Sequence, residues 1–383
     1  MKNIYLYQEV QNNSKLAHQE YREDTPNQFV SNQSYLSIKE YLHDYNYNFD
    51  FLYDTVPTYD DVVIVNNLQP FIRNSFHSFA ISLKRKLMHI SKLKKNIYFN
   101  LSNHKNKKNS QNIIPYLWES DTVMPSNWNL NNHRSFNKIL TWNRELIDNK
   151  KYFECNLQAG PLTISDLSEK VSRYFDRKIF FSTIHHNKVS YKQASSYIYR
   201  LALIDYFSRN LSDSFYLYGT GWDTESSFVG EYTTGYKYSD KEKDEYLLHW
   251  RKYSKSIQTA YKGTAPSKQI ILNNSKFVLC IENNLTTKGY LTEKIFDVIK
   301  CGAIPVYLGA PDINDLVPQE AFIDLRKFGV NYQSLHQYLM SITNHQYDLM
   351  QESGREFLTD TNSKAAKYLP CAIAKQLINA IEN

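Results

Sequence analysis

Residues 276–309, which read KFVLCIENNLTTKGYLTEKIFDVIKCGAIPVYLG, restrict the fold more than any other stretch of this chain. Two apolar runs, at 277–281 and 303–308, are each too short for a helix of usual length, and a helical segment that starts near Thr292 separates them. This order predicts a β-loop-α-β unit, whose two strands lie parallel in an α/β sheet. Ligands of such sheets bind beyond the carboxyl ends of the strands.

Polar side chains gather at those strand and helix ends: Glu282, Asn283, Tyr290, Glu293 and Lys294. The start of a helix favours an anion, and Lys294 adds a positive charge in the first turn. The carboxylate of Glu293 suits hydroxyl groups, which donate hydrogen bonds to it. A phosphate site beside a hydroxyl site fits a nucleotide sugar. The pattern leaves open that Thr292 and Glu293 only cap the helix while Lys294 is solvated.

The segment GYLTEKIFDVIKCGAIPVYLGAPDINDLVP, preceded by KFVLCIENN and followed by FIDL at 322–325, resembles the donor-site signature of the α-1,3-fucosyltransferases, glycosyltransferase family 10. The resemblance is close over roughly the last half of the chain, and weaker similarity extends towards the N-terminus to about Asp61. It implies a GT-B architecture, in which two Rossmann-like α/β domains face one another across a cleft. It also implies that fucose passes with inversion from GDP-fucose to a hydroxyl, O3 of GlcNAc or Glc, of a glycan acceptor.

The resemblance assigns roles on both halves of the chain. Glu119, after a predicted strand at 113–118, corresponds to the general base. The family often has proline after the next serine, whereas this chain has Asp121, so Asp121 stays an alternative base. Arg200 corresponds to an arginine that reaches the donor phosphates, with Arg209 in the same helix as its rival.

In the motif itself, we expect Lys294 to join Arg200 in neutralising the diphosphate. We expect Tyr290 and Glu293 to hold ribose or fucose hydroxyls, with Asn283 nearby. Three further residues are secondary candidates for the donor site: Glu282, Lys262 and Lys268.

The 383 residues suffice for two hydrophobic cores. We predict an acceptor-binding α/β domain at 1–160, a donor-binding α/β domain at 161–360, and an amphipathic C-terminal helix at 361–383 that packs back on the domains. The break AGP at 159–161 marks the linker, within residues 155–161. Further predicted strands are 1–7, 49–53, 62–65, 178–184 and 215–218, and further predicted helices are 34–45, 192–209, 267–274, 332–343 and 347–358.

Charge, cysteine content and hydropathy indicate which partners and which cell compartment to expect. The net charge of +6 does not demand nucleic acid as a partner. The lysine-rich stretch at 84–108 is typical of a solvated helix face and loop, and leaves open contact with a membrane surface. Four cysteines without C-x-x-C spacing indicate reduced, buried thiols. With no apolar run near the roughly 18 residues of a membrane span and no signal peptide, the chain resembles the cytoplasmic, bacterial branch of the family, which acts in the cytoplasm or at the inner membrane surface.

No Asp-x-Asp occurs that could hold Mn²⁺ against a diphosphate, so we expect no required metal or other cofactor, although stimulation by Mn²⁺ stays open. Two alternative functions remain at this point. One is a transferase of the same fold that uses another nucleotide sugar, and the other is a noncatalytic protein that binds carbohydrates or polyanions. The acceptor and the oligomeric state are not fixed by the sequence.

Overall fold

A computed structural model describes residues 1–7, 32–51, 61–65, 113–157, 174–190, 195–223, 227–228 and 238–383. The chain divides into two compact units. Unit 1 combines Met1–Pro161 with Leu369–Asn383, and unit 2 is Leu162–Tyr368. The lysine-rich stretch at 84–108 and residues 158–161 of the predicted linker lie outside the described residues.

Unit 1 holds a six-stranded parallel sheet in the order β2-β1-β3-β4-β5-β6. Every residue of β3 and β4 is buried, as expected for parallel strands covered on both faces. The order reverses between β1 and β3, where ligands of such sheets usually bind. The elements are β1 (Lys2–Tyr7), α1 (Asn32–Asp44), β2 (Tyr47–Phe51), β3 (Val62–Val65), β4 (Ile113–Leu117), a 3₁₀ turn (Pro125–Trp128), α2 (Leu130–His133), β5 (Ile139–Thr141) and β6 (Tyr152–Glu154).

Unit 2 holds a five-stranded parallel sheet in the order β13-β12-β11-β7-β9, with β8 and β10 paired separately. Here the order reverses between β7 and β11. The strands are β7 (Ile179–Ile184), β8 (Lys188–Val189), β9 (Phe215–Tyr218), β10 (Ser227–Phe228), β11 (Ser275–Ile281), β12 (Ile304–Leu308) and β13 (Ile323–Asp324). The helices are α3 (Tyr197–Asn210), α4 (Asp240–Ala260), α5 (Lys268–Asn274), α6 (Glu293–Lys300), α7 (Ile313–Leu316), α8 (Tyr332–Ser341) and α9 (Asn344–Thr359).

The β-loop-α-β unit predicted from the sequence is confirmed as β11, α6 and β12. The two strands pair in parallel from Phe277 opposite Ile304 to Ile281 opposite Leu308. Helix α6 begins directly after Thr292, whose side chain accepts a hydrogen bond from the N–H of Lys294. The strong alternation of apolar and turn signals in this segment explains why its elements could be predicted.

Two helices differ from the sequence prediction. Helix α3 begins at Tyr197 and not at 192, because Ser195 forms a β-bridge with Asn284 and Ser196 bonds to the end of β11. Helix α4 was not predicted, although Ser239 and Glu242 form a capping box at its start. A serine three residues before a glutamate is the signal that would have found this helix.

The C-terminal helix α10 (Pro370–Glu382) belongs to unit 1. Its apolar face, which includes Ile373 and Leu377, is buried, as the predicted amphipathic pattern requires. The Gln376 side chain accepts a hydrogen bond from the backbone N–H of Asn156 at 2.9 Å. The described residues include no helix that is both long and apolar enough to cross a membrane.

Candidate functional site

The carboxyl ends of β7 and β11 lie side by side at the reversal point of the unit 2 sheet. His185 follows β7 and Glu282 follows β11. The start of α3 is fastened to the same place, because the Ser196 hydroxyl donates to the carbonyl of Glu282 at 2.5 Å and its N–H donates to the carbonyl of Asn283 at 3.3 Å. One turn later, α3 carries Arg200.

Glu282 is fully buried and joins the end of β11 to the start of α6. Its Oε1 accepts from the N–H of Thr292 at 2.9 Å, and both carboxylate oxygens lie 2.8 Å from the Thr292 hydroxyl. Lys294 Nζ lies 3.0 Å from Glu282 Oε2 and 3.0 Å from the Thr292 hydroxyl oxygen. We call Glu282, Thr292 and Lys294 the donor-side cluster.

Close approach of the backbone supports this cluster. A Cβ atom on Gly309 would lie 2.6 Å from Glu282 Cγ and 2.2 Å from the Tyr307 hydroxyl. Glycine at 309 is therefore required by space. Burial, followed by the charge of Glu282, raises the pKa of Tyr307 well above its ordinary value, so this phenol stays neutral.

The free N–H groups expected at the start of α6 are occupied by the protein's own oxygens. Glu282 accepts from Thr292 N–H, and the Thr292 hydroxyl accepts from Lys294 N–H at 3.4 Å. The Glu293 carboxylate accepts from its own N–H. Phosphate binding at this helix start stays a prediction, and positive charge has to come chiefly from side chains.

Lys294 keeps its proton under all ordinary conditions. Burial alone would lower its pKa, but the carboxylates of Glu282 and Glu293 hold the pKa of Lys294 well above its ordinary value. Glu293 is half-buried, and although burial would raise its pKa, Lys294 and Lys268 hold it below the ordinary value. Both residues are therefore ionised at neutral pH.

Arg200 is a buried cation with no carboxylate partner in the part of the chain that the structure describes. Its side chain lies over the ring of Tyr197, with Cζ 4.5 Å from the ring centroid, and the residue is 3% exposed. Among the residues that the structure describes, no acidic group lies within 4 Å of this guanidinium. Burial lowers the pKa of Arg200, whereas Tyr197 raises it. A buried arginine in this state is best satisfied by an anionic ligand.

His185 lies within the electrostatic influence of both Arg200 and Lys294. Burial lowers the pKa of this histidine well below its ordinary value, and the charges of Arg200 and Lys294 lower it further. The neutral ring donates from Nε2 to the carbonyl of Ile281 at 3.2 Å, and its Nδ1 lies 2.7 Å from the Thr183 hydroxyl. The cations of α3 and α6 therefore both act on the space beside His185.

Two loops close in around the end of β7. Gly219 has φ +133°, and a Cβ atom there would lie 1.8 Å from the carbonyl oxygen of His185. The Trp222 indole donates to that same carbonyl at 2.6 Å, and the Tyr261 hydroxyl donates to the carbonyl of Gly219 at 2.8 Å. Lys262, a secondary candidate, lies beside these loops with Nζ 5.0 Å from the Tyr216 ring centroid.

The remaining donor-site candidates occupy three different environments. Tyr290 is buried beside Lys294, and Asn283 is half-buried at the end of β11. Lys268 donates to Asp297 at 2.5 Å, on the neighbouring helix α6. Burial lowers the pKa of Lys268, but Asp297 and Glu293 more than compensate and raise it. The structure thus places Lys268 in an ion pair within the protein.

Glu119 lies in unit 1, two residues beyond the end of β4, and its side chain is half-buried. Its carbonyl accepts a hydrogen bond from the Trp128 indole at 2.8 Å. The next residue, Ser120, is buried and shares a hydrogen bond of 2.7 Å with Thr122. The predicted position of Glu119 after a strand is confirmed, while its role as base stays a prediction. Asp121 is half-buried in the turn that follows.

Sequence reasoning missed two contributors. His185 was not among the predicted site residues, yet it is 7% exposed and both of its ring nitrogens are hydrogen-bonded. Thr292 was considered only as a possible helix cap, whereas its hydroxyl also contacts Glu282 and Lys294. In the sequence, Thr292 follows Tyr290 and precedes Glu293 and Lys294, and this position is only a weak signal for the second role. No sequence signal marks His185.

Comparisons with known proteins match the part of the chain that carries the donor-side cluster. Residues 237–353 match the profile described as glycosyltransferase family 10 (fucosyltransferase), C-terminal. An α-(1,4)-fucosyltransferase of Arabidopsis thaliana is 41% identical over 68 residues, which are 18% of this chain and 16% of that protein. The α-(1,3)-fucosyltransferase FucT of Helicobacter pylori is 26% identical over 122 residues, which are 32% of this chain and 25% of that protein. The matched segments thus span a quarter or less of these relatives.

A solved structure of an α1,3-fucosyltransferase with GDP superposes over 100% of this chain and 90% of its own length, with a TM-score of 0.52 at 13% identity. At that identity the likeness shows the fold, which is α/β with two Rossmann-like units. The segment that matches the family profile contains the donor-side cluster, and the relatives above are fucosyltransferases by name. Residues 237–353 of this chain are thus similar to the C-terminal domain of glycosyltransferase family 10, the fucosyltransferases.

Proposed function

We propose that this protein is an inverting fucosyltransferase that moves fucose from GDP-fucose to a hydroxyl of a glycan acceptor, O3 of GlcNAc or Glc. The observation that carries the proposal is the buried Arg200, which has no carboxylate among the described residues and acts with Lys294 on the space beside His185. A diphosphate supplies the negative charge that this arrangement lacks. The match to the fucosyltransferase profile and the similarity to named fucosyltransferases support fucose as the sugar.

The two cations of the site differ in what they offer a ligand. Lys294 Nζ is already paired with Glu282 Oε2 at 3.0 Å, so the pair carries little net charge. Lys294 therefore offers a ligand mainly a hydrogen-bond donor in a fixed position. Arg200 contributes an unneutralised charge and a planar fork that suits two phosphate oxygens. As the bond to fucose breaks, negative charge grows on the departing diphosphate, and these groups stabilise it without moving. Glu293 and Tyr290 would hold hydroxyl groups of the donor.

Glu119 is the proposed general base, which takes the proton of the acceptor hydroxyl as that hydroxyl attacks fucose. A base of this kind contributes about 10²- to 10⁴-fold to the rate. Asp121 is the alternative base. We propose that protein cations replace a divalent metal at the diphosphate, so that Mn²⁺ is not required.

Product formation from GDP-fucose with lactose or N-acetyllactosamine, in the presence of EDTA, tests the proposal. We expect turnover by the wild type, a loss of about 10²-fold or more for Glu119→Gln, and weaker donor use by Lys294→Ala. Asp121→Asn and Lys300→Ala are matched controls, since each removes a charge close to the residue under test. If Asp121→Asn and not Glu119→Gln abolishes turnover, Asp121 is the base.

The alternative functions give different outcomes. If another nucleotide sugar reacts and GDP-fucose neither reacts nor binds in calorimetry, the fold assignment stands and the donor assignment is wrong. If no nucleotide sugar reacts, but polyanions or glycans bind equally well to wild type and Glu119→Gln, the protein is a binding protein. Activity that EDTA abolishes and Mn²⁺ restores would contradict metal independence alone.

A further inference from the structure

The loop that carries Glu119 is held by two tryptophans from different parts of unit 1. The Trp142 indole N–H donates to the carbonyl of Trp118 at 2.8 Å, and the Trp128 indole N–H donates to the carbonyl of Glu119 at 2.8 Å. The two indole rings contact each other, with centroids 4.9 Å apart and an interplanar angle of 52°. Two successive carbonyls are therefore fixed by one pair of packed rings.

Sheet topology explains how this pair forms. Strands β4 and β5 pair up to Leu117 opposite Thr141. Trp142 directly follows β5, so it lies opposite Trp118, the first residue after β4. Trp142 is 1% exposed and cannot easily move. Trp128 ends the 3₁₀ turn that follows the Glu119 loop. That turn is anchored in its own right, because His133 Nε2 lies 2.6 Å from the carbonyl oxygen of Asn127.

The next carbonyl of the loop is fixed as well. Ser120 O accepts from the N–H of Val123 at 3.1 Å and of Met124 at 2.8 Å. The carbonyls of residues 118, 119 and 120 thus all have donors, which hold the backbone on both sides of Glu119. A general base must hold its proton acceptor at a defined place, and a displacement of about 1 Å can cost about 10²-fold in rate.

We propose that Trp128 and Trp142 are positioning residues for the carboxylate of Glu119, acting through the backbone carbonyls that they bind. This inference rests on the proposed role of Glu119 as general base. Neither indole is assigned contact with substrate. Their function is to fix the loop, so that removal of an indole N–H changes the rate of the chemical step and leaves donor binding unchanged.

Trp128→Phe tests the inference, because phenylalanine keeps a ring against Trp142 and removes only the donor. We expect kcat to fall about 10- to 100-fold, with KM for GDP-fucose within about twofold of the wild type. Trp250→Phe is the matched control, since it shortens a buried indole in α4 of unit 2. We expect that control to leave kcat within about twofold, at a similar loss of Tm.

A double-variant cycle separates positioning from a merely structural role. If Trp128 acts through Glu119, Trp128→Phe reduces the residual activity of Glu119→Gln by no more than about twofold, because the group that it positions is gone. An equal fold loss in both backgrounds overturns the inference and leaves the proposed function intact. Full activity of Glu119→Gln alone contradicts the base assignment and the inference together.

Two further measurements keep the test decisive. If residual activity in Glu119→Gln is too low to follow, the pH dependence of kcat for Trp128→Phe replaces the cycle. A shift of its acidic limb supports positioning, and an unshifted limb contradicts it. If Trp128→Phe does not fold, Trp142→Phe is put through the same cycle, since it removes the donor to the adjacent carbonyl.

Discussion

Replacing Arg200 by methionine should change stability and donor affinity in opposite directions. The guanidinium is 3% exposed, lies over Tyr197 at 4.5 Å and has no carboxylate within 4 Å among the described residues. In the absence of ligand, the protein carries the cost of a buried charge that Tyr197, among the described residues, offsets through its ring and a hydrogen bond. Methionine removes that charge and keeps most of the apolar side chain, so we expect the free protein to be no less stable than the wild type.

Affinity for GDP should fall sharply in the same variant. A bidentate, charge-assisted contact to phosphate is worth about 2 to 4 kcal/mol, taking about 1.5 to 3 kcal/mol for each hydrogen bond and allowing for non-additivity. Since about 1.4 kcal/mol corresponds to a factor of ten, Kd should rise about 30- to 700-fold. Isothermal titration calorimetry with GDP measures this change, and differential scanning calorimetry of the free protein measures the change in Tm.

Arg209→Met is the matched control in the same helix. Arg209 is half-exposed and is paired with Asp205 at 2.9 Å, so its loss should leave the Kd for GDP within about twofold. Two results would refute the reasoning. One is an unchanged Kd for Arg200→Met, and the other is a large loss of Tm, which would show that Arg200 is satisfied inside the protein.

Three more predictions concern the end of β7 and the donor-side cluster. Gly219→Ala should lose about 2 to 4 kcal/mol of stability in a urea titration, because φ is positive and the added Cβ would lie 1.8 Å from the His185 carbonyl oxygen. Gly263→Ala is the control, with φ +85° and open space around the added Cβ, and should lose only about 1 to 2 kcal/mol in the same titration. Glu282→Gln should lose about 2 to 4 kcal/mol, less than a fully buried broken pair, because Lys294 is 24% exposed and can rehydrate; an unchanged urea midpoint would argue against it. Since burial lowers the pKa of His185, its folded form stays neutral, and the stability that this gives is present above pH about 6.5 and is lost as pH falls below it. A His185→Gln variant should therefore show a flatter stability profile between about pH 7 and 5.

The sequence predicted local elements well wherever the signal was itself local. β11, α6 and β12 follow from apolar runs, a capping threonine and a glycine that ends the helix. The helix α3 was predicted to start too early, because its first residues pair with the end of β11, far away in the chain. Periodicity cannot show that Ser195 and Ser196 bond to residues much further along the chain instead of continuing a helix.

The candidate site was predictable in its residue types and not in its pairings. The motif identified Lys294 and Glu282, but their contact at 3.0 Å depends on how the end of β11 meets the start of α6. His185 bonds to the carbonyl of Ile281 across 96 residues, and this depends on β7 lying beside β11. Strand order is a property of the whole sheet, so no short segment could reveal it.

The return of the chain to unit 1 affects how the protein is made. Unit 1 ends its first passage at Pro161 and is completed only by Leu369–Asn383, after all of unit 2 has been synthesised. Helix α10 supplies buried side chains to that unit and bonds to Asn156, Lys138 and Tyr47. Unit 2 is therefore a continuous segment, whereas unit 1 needs residues from both sides of that segment. A nonsense codon near position 369 would leave the donor-side cluster intact and would damage the half of the protein that was translated first.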